Sequence, residues 1–506
     1  MDLIDLRWVL CHCAHPMLLI VDCTKADRDS NGNWRLHSFE WSIDLMTTPN
    51  KLLDDAKRIW RAGVAASSPK VLIRQHFALT GSILCINEHK FDLRQFERIV
   101  IVGAGKAAGA IALELENVLG LELLASKQVT GWLNVPSNCV VLTRCITLHN
   151  ARPAEINEPT REALYGTERI LQLVGSLTPS DLCICVITGG ASALLSAPAP
   201  GVRFDDKLQV TRLMSAAGAD IHQLNTIRRH LSLVKNGGLA SACRAGLLVS
   251  LLVSDVPGDH LDIIGSGPTA QRSPDVQKAR DILLSFQLPN EPCVRRISTY
   301  LASRVSISQT RRTRRDQLAG SRRTNAVPRT VSVLLGNNAS AVDGASAEAR
   351  RLGYHTTSEC STIPEGPAEA VGRKLARFSN ELKQAPLFSC HVSGGETSVT
   401  LVDESQRGRG GRNQQLALAY LIELERSHEI AFVSGGTDGE DGPTNAAGAF
   451  VTEEVVNRAN RLRLDPSNYL ARNDAYTFFQ HAGGLLVTGP TQTNVADLRV
   501  VVVRPS

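Results

Sequence analysis

Residues 98–109 read RIVIVGAGKAAG, an apolar run that ends in a glycine-rich loop around one lysine. The run Arg98–Val102 predicts a buried β-strand, because consecutive apolar residues that stop at glycine are typical of a strand covered on both faces. Gly103–Gly109 predicts a turn, and the apolar spacing that follows predicts a helix to about Leu119. A strand, a glycine turn and a helix in this order form the repeating unit of a parallel α/β sheet.

The same strand-to-loop pattern occurs in both halves of the chain. Apolar runs pass directly into loops of Gly, Ser, Thr, Asn or Asp after seven residues: Val102, Thr188, Val253, Leu335, Val392, Val433 and Val487. Helical periodicity separates these runs, so the sequence predicts the α/β class with mostly parallel sheets. Because the carboxyl ends of parallel strands meet at one edge of a sheet, where ligands bind, we expect a polar, anionic ligand between two α/β domains.

The 506 residues are 43 % apolar, enough for about two to four folded domains. Residues 304–330 are polar, arginine-rich and poor in apolar side chains, which predicts a mobile insertion or linker. We therefore expect an N-terminal extension at 1–45, an N-terminal α/β domain at 46–303, the linker at 304–330 and a C-terminal α/β domain at 331–506.

Charge and cysteine content exclude several classes of protein. Arg311–Arg323 holds six arginines and one aspartate, which equals the whole net charge of +5, so no nucleic-acid-binding face is predicted. No apolar run reaches about 18 residues, so no membrane span is expected. The twelve cysteines lack zinc-site spacing and fit a reducing compartment. The N-terminus makes a poor signal or transit peptide, so we expect a cytoplasmic protein, with the mitochondrion as the alternative. The choice between monomer and homo-oligomer stays open.

A second glycine-rich loop, Glu404–Leu418, reads ESQRGRGGRNQQLAL. It predicts a flexible turn before a helix, with Asn413 near the N-cap. Free N–H groups at the helix start would face the same way as nearby arginines and would attract phosphate. The alternative is a solvated basic loop. Of the three arginines, Arg412 is the one next to the helix, and we expect Arg407 and Arg409 to be solvated.

Lys106 lies inside the first glycine loop, where two readings compete. Gly103-x-Gly105-x-x-Ala108 formally matches the dinucleotide-binding fingerprint. That role needs an acidic residue at the end of the next strand, yet this strand ends near Val135 and Pro136. A lysine between glycines at a strand end suits a phosphate instead, although a solvated loop lysine is the simpler alternative.

Acidic residues also occur in the strand-end loops, at Asp255, Glu396, Asp438 and Asp441. Phosphoryl transfer needs Mg²⁺ held by carboxylates and phosphates, cations that neutralise charge, and a carboxylate that orients the attacking hydroxyl. The chain supplies all three. Ser192 lacks the second glycine of G-x-S-x-G, so we expect it to bind a ligand or cap a helix rather than act as a nucleophile.

From Leu52 to its end the chain resembles the glycerate 2-kinases whose C-terminal half is a MOFRL domain. The resemblance rests on VGAGKAAG (102–109), ITGGASALLSAP (187–198), LNTIRRHLSLVKNGGLA (224–240), LVSDVPGD (252–259), GSGPT (265–269), GNNASA (336–341), SGGETSVTL (393–401), GRGGRNQQLAL (408–418), SGGTDGEDGPTNAAGA (434–449), NDAYTFF (473–479) and TGPTQTNVADL (488–498). It implies phosphorylation of D-glycerate at its 2-hydroxyl, with ATP and Mg²⁺. The implied fold is a Rossmann-like N-terminal domain and a smaller MOFRL domain, with the active site in the cleft between them.

The resemblance also implies roles for individual residues. Lys106 and Arg412 are expected to act in phosphoryl transfer. Phosphate- or nucleotide-binding turns are expected at Gly103, Gly105, Gly189, Gly190, Asn338, Gly394, Gly395 and Glu396, and Ser192 is expected to touch substrate.

Three further roles follow from side-chain chemistry. Asp255 would orient the 2-hydroxyl or bind the metal, and Asp438 is the second candidate metal ligand. Arg228 is the candidate for the glycerate carboxylate, since guanidinium binds carboxylate through two hydrogen bonds; the alternative is a surface helix arginine.

Two positions depart from the family pattern, and other functions remain open. Gln492 and Asn236 stand where glycine is usual, which matters if the backbone φ angle is positive there. An NAD(P)H-dependent hydroxypyruvate reductase is the first alternative function. A non-catalytic sugar-phosphate-binding protein on the same scaffold is the second, and a fold that has lost activity is the third.

Overall fold

A computed structural model describes residues 26–28, 34–36, 49–154, 156, 158–270, 275–286, 288, 290–317, 328–425 and 428–505. The chain divides into two compact units, Met1–Thr48 and Pro49–Ser506. In the first unit the described residues form one antiparallel pair of short strands. Most of the predicted extension at 1–45 lies outside the described residues.

The described strands are β1 (Ala26–Arg28), β2 (Trp34–Leu36), β3 (Phe77–Thr80), β4 (Ile83–Ile86), β5 (His89–Asp92), β6 (Ile99–Ala104), β7 (Thr130–Pro136), β8 (Ile146–Arg152), β9 (Leu182–Ile187), β10 (Leu247–Val253), β11 (Arg329–Gly336), β12 (His355–Cys360), β13 (Ser389–Gly395), β14 (Ile430–Gly436), β15 (Gly448–Val451), β16 (Leu485–Leu486) and β17 (Asp497–Val503). The described α-helices are α1 (Pro49–Ala66), α2 (Pro69–His76), α3 (Ala108–Ser126), α4 (Arg161–Gly175), α5 (Ala191–Leu194), α6 (Phe204–Ala216), α7 (Ile221–His230), α8 (Gly238–Ala242), α9 (Val276–Ser285), α10 (Pro292–Gln317), α11 (Asn338–Arg351), α12 (Ala368–Leu382), α13 (Arg412–Glu423), α14 (Glu453–Arg461), α15 (Pro466–Ala471) and α16 (Ala475–Ala482).

The first large sheet has the strand order β11-β10-β9-β6-β7-β8, and every neighbouring pair is parallel. Every residue of β6, β9 and β10 is buried, because helices cover both faces of the sheet. The opening stretch forms β6, its loop and α3 in the predicted order. The helix continues to Ser126, past the predicted end near Leu119.

The second large sheet has the order β12-β13-β17-β14-β15-β16. Only β12 and β13 run parallel here; β17, from the end of the chain, lies antiparallel between β13 and β14. The two large sheets together contain six parallel and four antiparallel strand pairs among the described residues. The predicted α/β class with mostly parallel sheets is therefore confirmed, although the antiparallel pairs are concentrated in the second sheet.

Two elements lie on the other side of the predicted domain limits. The strand β11, expected to open the C-terminal domain at 331, pairs with β10 in the first sheet. Helix α1 packs against β14 and β17 of the second sheet, where the indole nitrogen of Trp60 donates to the Leu498 carbonyl at 3.1 Å. An apolar pattern predicts that a strand or helix exists, but it does not specify the partner.

Helix α10 extends to Gln317, into the segment expected to be a linker at 304–330. Residues 318–327 lie outside the described residues. In the described part of the chain, no helix combines the length and the apolar character needed to cross a membrane.

Candidate functional site

Loops that follow strands of the two large sheets line two adjoining cavities. The first cavity, about 740 Å³, is lined by Ser192, Lys207, Arg228 and Lys235, among others. The second cavity, about 860 Å³, is lined by Lys106, Arg412, Asp438 and Glu440, among others. Four residues belong to both linings: Gly190, Asp255, Glu396 and Thr397. The cavities thus meet at two carboxylates, one from each sheet.

Lys106 connects the loops of the two sheets. It lies between β6 and α3, and its ammonium nitrogen is 2.7 Å from Asp438 Oδ2 and 2.5 Å from Glu440 Oε2. Burial opposes the charge on Lys106, but the two carboxylates outweigh it and raise the pKa of the ammonium group. Lys106 is therefore a fixed positive charge in the wall of the second cavity.

Arg412 is the corresponding cation on the side of the second sheet. As the first residue of α13, it donates from Nε and Nη2 to Asp497 at 2.7 and 3.0 Å, and from Nη1 to Glu396 at 2.6 Å. Burial raises the pKa of Glu396 to about 7, although the Arg412 charge acts in the opposite direction. The three-way contact fixes the plane of the guanidinium group.

The N-terminus of α13 is already satisfied by a side chain of the protein. Gly411 is the N-cap, two residues before Asn413. The Asp441 carboxylate accepts from the backbone N–H groups of Asn413 and Gln414 at 3.0 and 2.8 Å. Burial raises the pKa of Asp441 to about 7, and these hydrogen bonds partly offset that effect. The phosphate expected at this helix end therefore has a carboxylate in its place.

Asp255 lies at the junction of the two cavities, directly after β10. Its Oδ2 accepts a hydrogen bond of 3.0 Å from the Asn494 amide, and burial raises its pKa. Asp438, the second candidate metal ligand, follows β14, and its charge acts on Asp255 in the same direction as burial. Both residues line the second cavity.

The described residues contain no cluster of three His, Cys, Asp or Glu side chains suited to a metal. Mg²⁺ often takes only one or two protein carboxylates, with phosphates and water as its other ligands. The oxygen donors of Asp255 and Asp438 fit that kind of site.

Two predicted substrate contacts lie in the first cavity. Ser192 Oγ is 2.9 Å from Ser266 Oγ and 2.5 Å from Lys235 Nζ. Arg228, on α7, is half-buried and lines the same cavity. The geometry disfavours the reading of Arg228 as a surface helix arginine.

The predicted glycine turns separate into two groups. Gly190 lines both cavities with a left-handed backbone, at a φ of 83°. A Cβ atom on Gly189 would lie 1.9 Å from the Asn494 amide and 2.4 Å from Asp255 Oδ2, so only glycine leaves room for that hydrogen bond. These two residues shape the junction between the cavities.

Gly103 and Gly105 are outside the linings of both cavities. A Cβ on Gly103 would lie 1.9 Å from the Val186 carbonyl oxygen, and one on Gly105 would lie 2.0 Å from Thr188 Oγ1. These glycines permit close strand packing rather than contact with a ligand.

Asn338, Gly394 and Gly395 on the second sheet are likewise outside both cavity linings. Asn338 donates to the carbonyls of Val495 and Asp497 at 2.7 and 2.9 Å. Cβ atoms on Gly394 and Gly395 would meet Asn338 Oδ1 and Glu365 Oε2. Glu396, the next residue, is the part of this loop that reaches both cavities.

Several cavity residues were not predicted. They are Lys207, Lys235, Arg152 and Glu440. Asp497, the buried partner of Arg412 outside both linings, was not predicted either. Lys235 stands directly before the turn Asn236-Gly237-Gly238. This glycine turn does not follow a strand, but it is a signal that could have identified Lys235. Arg152 ends the parallel strand β8, and that position is a signal that could have identified it. Lys207 lies within a helix and carries no local signal.

The two departures from the family pattern both occur at left-handed positions. Asn236 has a φ of 53° and Gln492 a φ of 62°. Asparagine tolerates this region well. Gln492 does so less readily, and its amide donates to the Asn138 carbonyl at 3.3 Å, between the loops of the two sheets.

Comparison with known proteins gives two family matches and several full-length relatives. Residues 55–301 match the domain of unknown function DUF4147, and residues 389–497 match the MOFRL family. The glycerate kinase of Mus musculus is 33 % identical over 92 % of this chain and 95 % of its own.

A bacterial relative and a solved structure extend the comparison. A protein of Agrobacterium vitis with a provisional name as a hydroxypyruvate reductase is 33 % identical over 80 % of this chain and 99 % of its own. The crystal structure of a glycerate kinase from Thermotoga maritima superposes with a TM-score of 0.70 and 29 % identity, covering 90 % of this chain and 100 % of the other.

Proposed function

Because this chain belongs to the family of glycerate kinases with a MOFRL domain, we propose that it transfers the γ-phosphoryl group of ATP to the 2-hydroxyl of D-glycerate. The observation that carries the proposal is that Lys106 and Arg412 line the same cavity. These cations come from loops of different sheets, line one cavity and are each held by two carboxylates. The cavity between the sheets is the proposed active site.

Lys106 and Arg412 stabilise the negative charge that spreads over the oxygens of the transferred phosphoryl group. Their carboxylate partners hold both cations in place before the substrates arrive, so little reorganisation is needed during the reaction. Because Glu396 contacts Arg412 at the border of the two cavities, it can exchange a contact with Arg412 when a phosphate enters. Gly190 allows the phosphates to approach the backbone at this border.

Asp255 orients the 2-hydroxyl of glycerate and accepts its proton, or it binds the metal. Its raised pKa, caused by burial, makes it a better proton acceptor than an exposed aspartate. Asp255 and Asp438 would hold Mg²⁺, which would neutralise phosphate charge. Arg228 and Ser192 bind the carboxylate end of glycerate from the first cavity.

The decisive experiment is incubation of the protein with ATP, Mg²⁺ and D-glycerate, followed by phosphorus NMR of the product. A resonance of 2-phosphoglycerate together with ADP is expected. A 3-phosphoglycerate resonance would correct the position, and the absence of any phosphorylated glycerate would overturn the proposal.

Hydroxypyruvate reduction is the second candidate, because the Agrobacterium vitis relative carries that name. The glycines of its fingerprint, Gly103 and Gly105, are outside the linings of both cavities, which disfavours it. NADH oxidation with hydroxypyruvate tests it directly. A non-catalytic binding protein would bind ligand without releasing ADP.

A further inference from the structure

The first cavity contains an unusual concentration of buried positive charge. Lys207 extends from α6, Arg228 from α7, and Lys235 from the turn between α7 and α8. All three line the cavity, and each lysine is only 4 % exposed. Three separate segments therefore direct cationic side chains to one wall.

These cations have no acidic partner within the described part of the chain. Lys235 Nζ contacts the Ser192 carbonyl at 3.0 Å and the hydroxyls of Ser192 and Ser266 at 2.5 and 3.1 Å. Among the described residues, the hydrogen-bond partner of Lys207 Nζ is the Ser196 hydroxyl, at 3.4 Å. Glu158, whose charge acts on Arg228, is already paired with Arg212.

Several other cations of the described fold are neutralised by carboxylates. Lys106 and Arg412 in the second cavity, and the buried Arg499, each pair with at least one carboxylate. The buried Arg152 instead donates to backbone carbonyls. An unpaired buried cation is expensive because its hydration is lost without compensation. Burial accordingly lowers the pKa of Lys235 far below its usual range and that of Lys207 to about 8, and neighbouring cations add to both shifts.

A bound anion would remove this cost. The ammonium and guanidinium groups offer charged donors, and the Ser192 and Ser266 hydroxyls offer additional ones that suit carboxylate or phosphate oxygens. The cavity also shares its border with Asp255 and Glu396, next to the proposed reaction centre. An anion bound at this wall would therefore belong to a molecule that extends toward that centre.

We propose that Lys207, Arg228 and Lys235 form an oxyanion site that holds the negatively charged end of a substrate in the first cavity. The shared chemistry is a carboxylate or phosphate group, supplied by the carboxylate of the phosphoryl acceptor or by the phosphates of the nucleotide. The choice of these two molecules as sources of the anion rests on the proposed function. The two lysines act as binding residues and are not assigned a proton-transfer step.

The test uses Lys207→Met and Lys235→Met, which remove the charge but keep an unbranched apolar stem, with the exposed Lys70→Met as the matched control. We expect each cavity variant to raise the KM of D-glycerate or of ATP by at least about tenfold, with a smaller effect on kcat. The ligand whose KM rises identifies the source of the anion. The midpoint temperature of thermal unfolding should not fall, since each substitution removes a buried unpaired charge.

Calorimetric titration with D-glycerate, ATP and inorganic phosphate separates this proposal from the proposed function. If the wild type binds one of these anions without turnover and the variants lose that binding, the site stands and the kinase assignment fails. A double variant, Lys207→Met with Lys235→Met, gives the opposite outcome. If the wild type phosphorylates glycerate and the folded double variant has KM and kcat values within about twofold of wild type for both substrates, the proposed oxyanion site is wrong. Absence of binding by the wild type to all three probes would also overturn it.

Discussion

The ammonium nitrogen of Lys106 lies 2.7 Å from a carboxylate oxygen of Asp438, although the residues are 332 positions apart and follow strands of different sheets. The contact brings the β6 loop against the β14 loop at the second cavity. Part of the wall therefore exists only when both sheets are assembled. Since a phosphoryl group carries several negative oxygens, this fixed cation is in a position to stabilise them in the transition state.

Lys106→Met should lower kcat by about 10³-fold or more, because the charge on the transferred group then loses one fixed cation. Lys106→Arg should retain part of the activity. Initial rates of ADP release measure both effects, and circular dichroism checks the fold, since Asp438 and Glu440 lose their partner. Lys70→Met, on the exposed face of α2, is the control. A well-folded Lys106→Met protein with nearly normal kcat would remove Lys106 from the reaction.

Arg412→Lys tests whether geometry matters in addition to charge. A lysine cannot make the paired contacts with Asp497 while also reaching Glu396, so we expect a loss of about 10²-fold or more in kcat. Arg409→Lys is the matched control, because Arg409 is exposed and lies 4.5 Å from the centre of the Tyr476 ring, outside both cavity linings. Similar kcat values for the two variants would contradict the proposed role of Arg412.

The sequence pattern predicts which residues gather at the strand ends, but it does not predict their long-range partners. Asp255, Glu396 and Asp438 follow strands, and parallel topology gathers such positions at a sheet edge. Gly103 and Gly105 occupy the same kind of position but lie outside both cavity linings, since a glycine near a strand end also serves close strand packing. Nothing local distinguishes a glycine that faces a ligand from one that faces a backbone.

Contacts between segments that are far apart in the chain could not be predicted from a single sequence. The occupation of the α13 N-terminus by Asp441 depends on a loop that follows another strand. The burial of Lys207 likewise depends on neighbours from separate helices. The pairing of β11 with β10 in the first sheet is a third example, because an apolar run predicts a strand but not the strand beside it.

Asp255→Asn should reduce kcat by about 10²- to 10⁴-fold, whether the carboxylate accepts the hydroxyl proton or holds the metal. The amide keeps the size of the side chain and can still contact Asn494, so folding should be preserved. The Mg²⁺ dependence of the residual rate separates the two roles: a metal ligand shifts it to higher concentration, and a proton acceptor leaves it unchanged. Asp403→Asn, at an exposed turn, is the control, and equal rates for both variants would exclude Asp255.

Asp441→Ala tests the carboxylate at the start of α13. Loss of this acceptor leaves two backbone N–H groups without a partner and should lower the free energy of unfolding by about 1–2 kcal/mol. Because Arg412 is the first residue of that helix, kcat should fall as well. Asp465→Ala removes the equivalent acceptor from α15, an exposed helix start, and should affect stability alone. Urea unfolding and initial rates measure the two effects, and unchanged kcat in Asp441→Ala would show that the cap does not position Arg412.

The pH dependence of substrate capture should report the charge on Lys207. Burial, with Arg228 nearby, lowers its pKa to about 8, so the side chain is charged below that pH and neutral above it. Among the described residues, the groups that act on it are Arg228 from α7, Lys235 and the Ser196 hydroxyl. The acidic residues of the cavity lining, Glu158, Asp255 and Glu396, form no ion pair with it in that part of the chain. If Lys207 binds the anion, kcat/KM for that substrate should decline as pH rises through about 8, since this ratio follows the free enzyme.

Lys207→Arg keeps the charge at all these pH values, so its kcat/KM should lack the decline near pH 8. Lys207→Met should give a low value with no inflection there, because no titrating group remains at this position. Initial rates between pH 6.5 and about 9.5, at subsaturating concentrations of each substrate in turn, measure the three profiles. Lys235, whose pKa burial also lowers, still titrates in both variants and accounts for any inflection they share. Identical profiles for the wild type and Lys207→Met would mean that Lys207 does not hold the substrate anion.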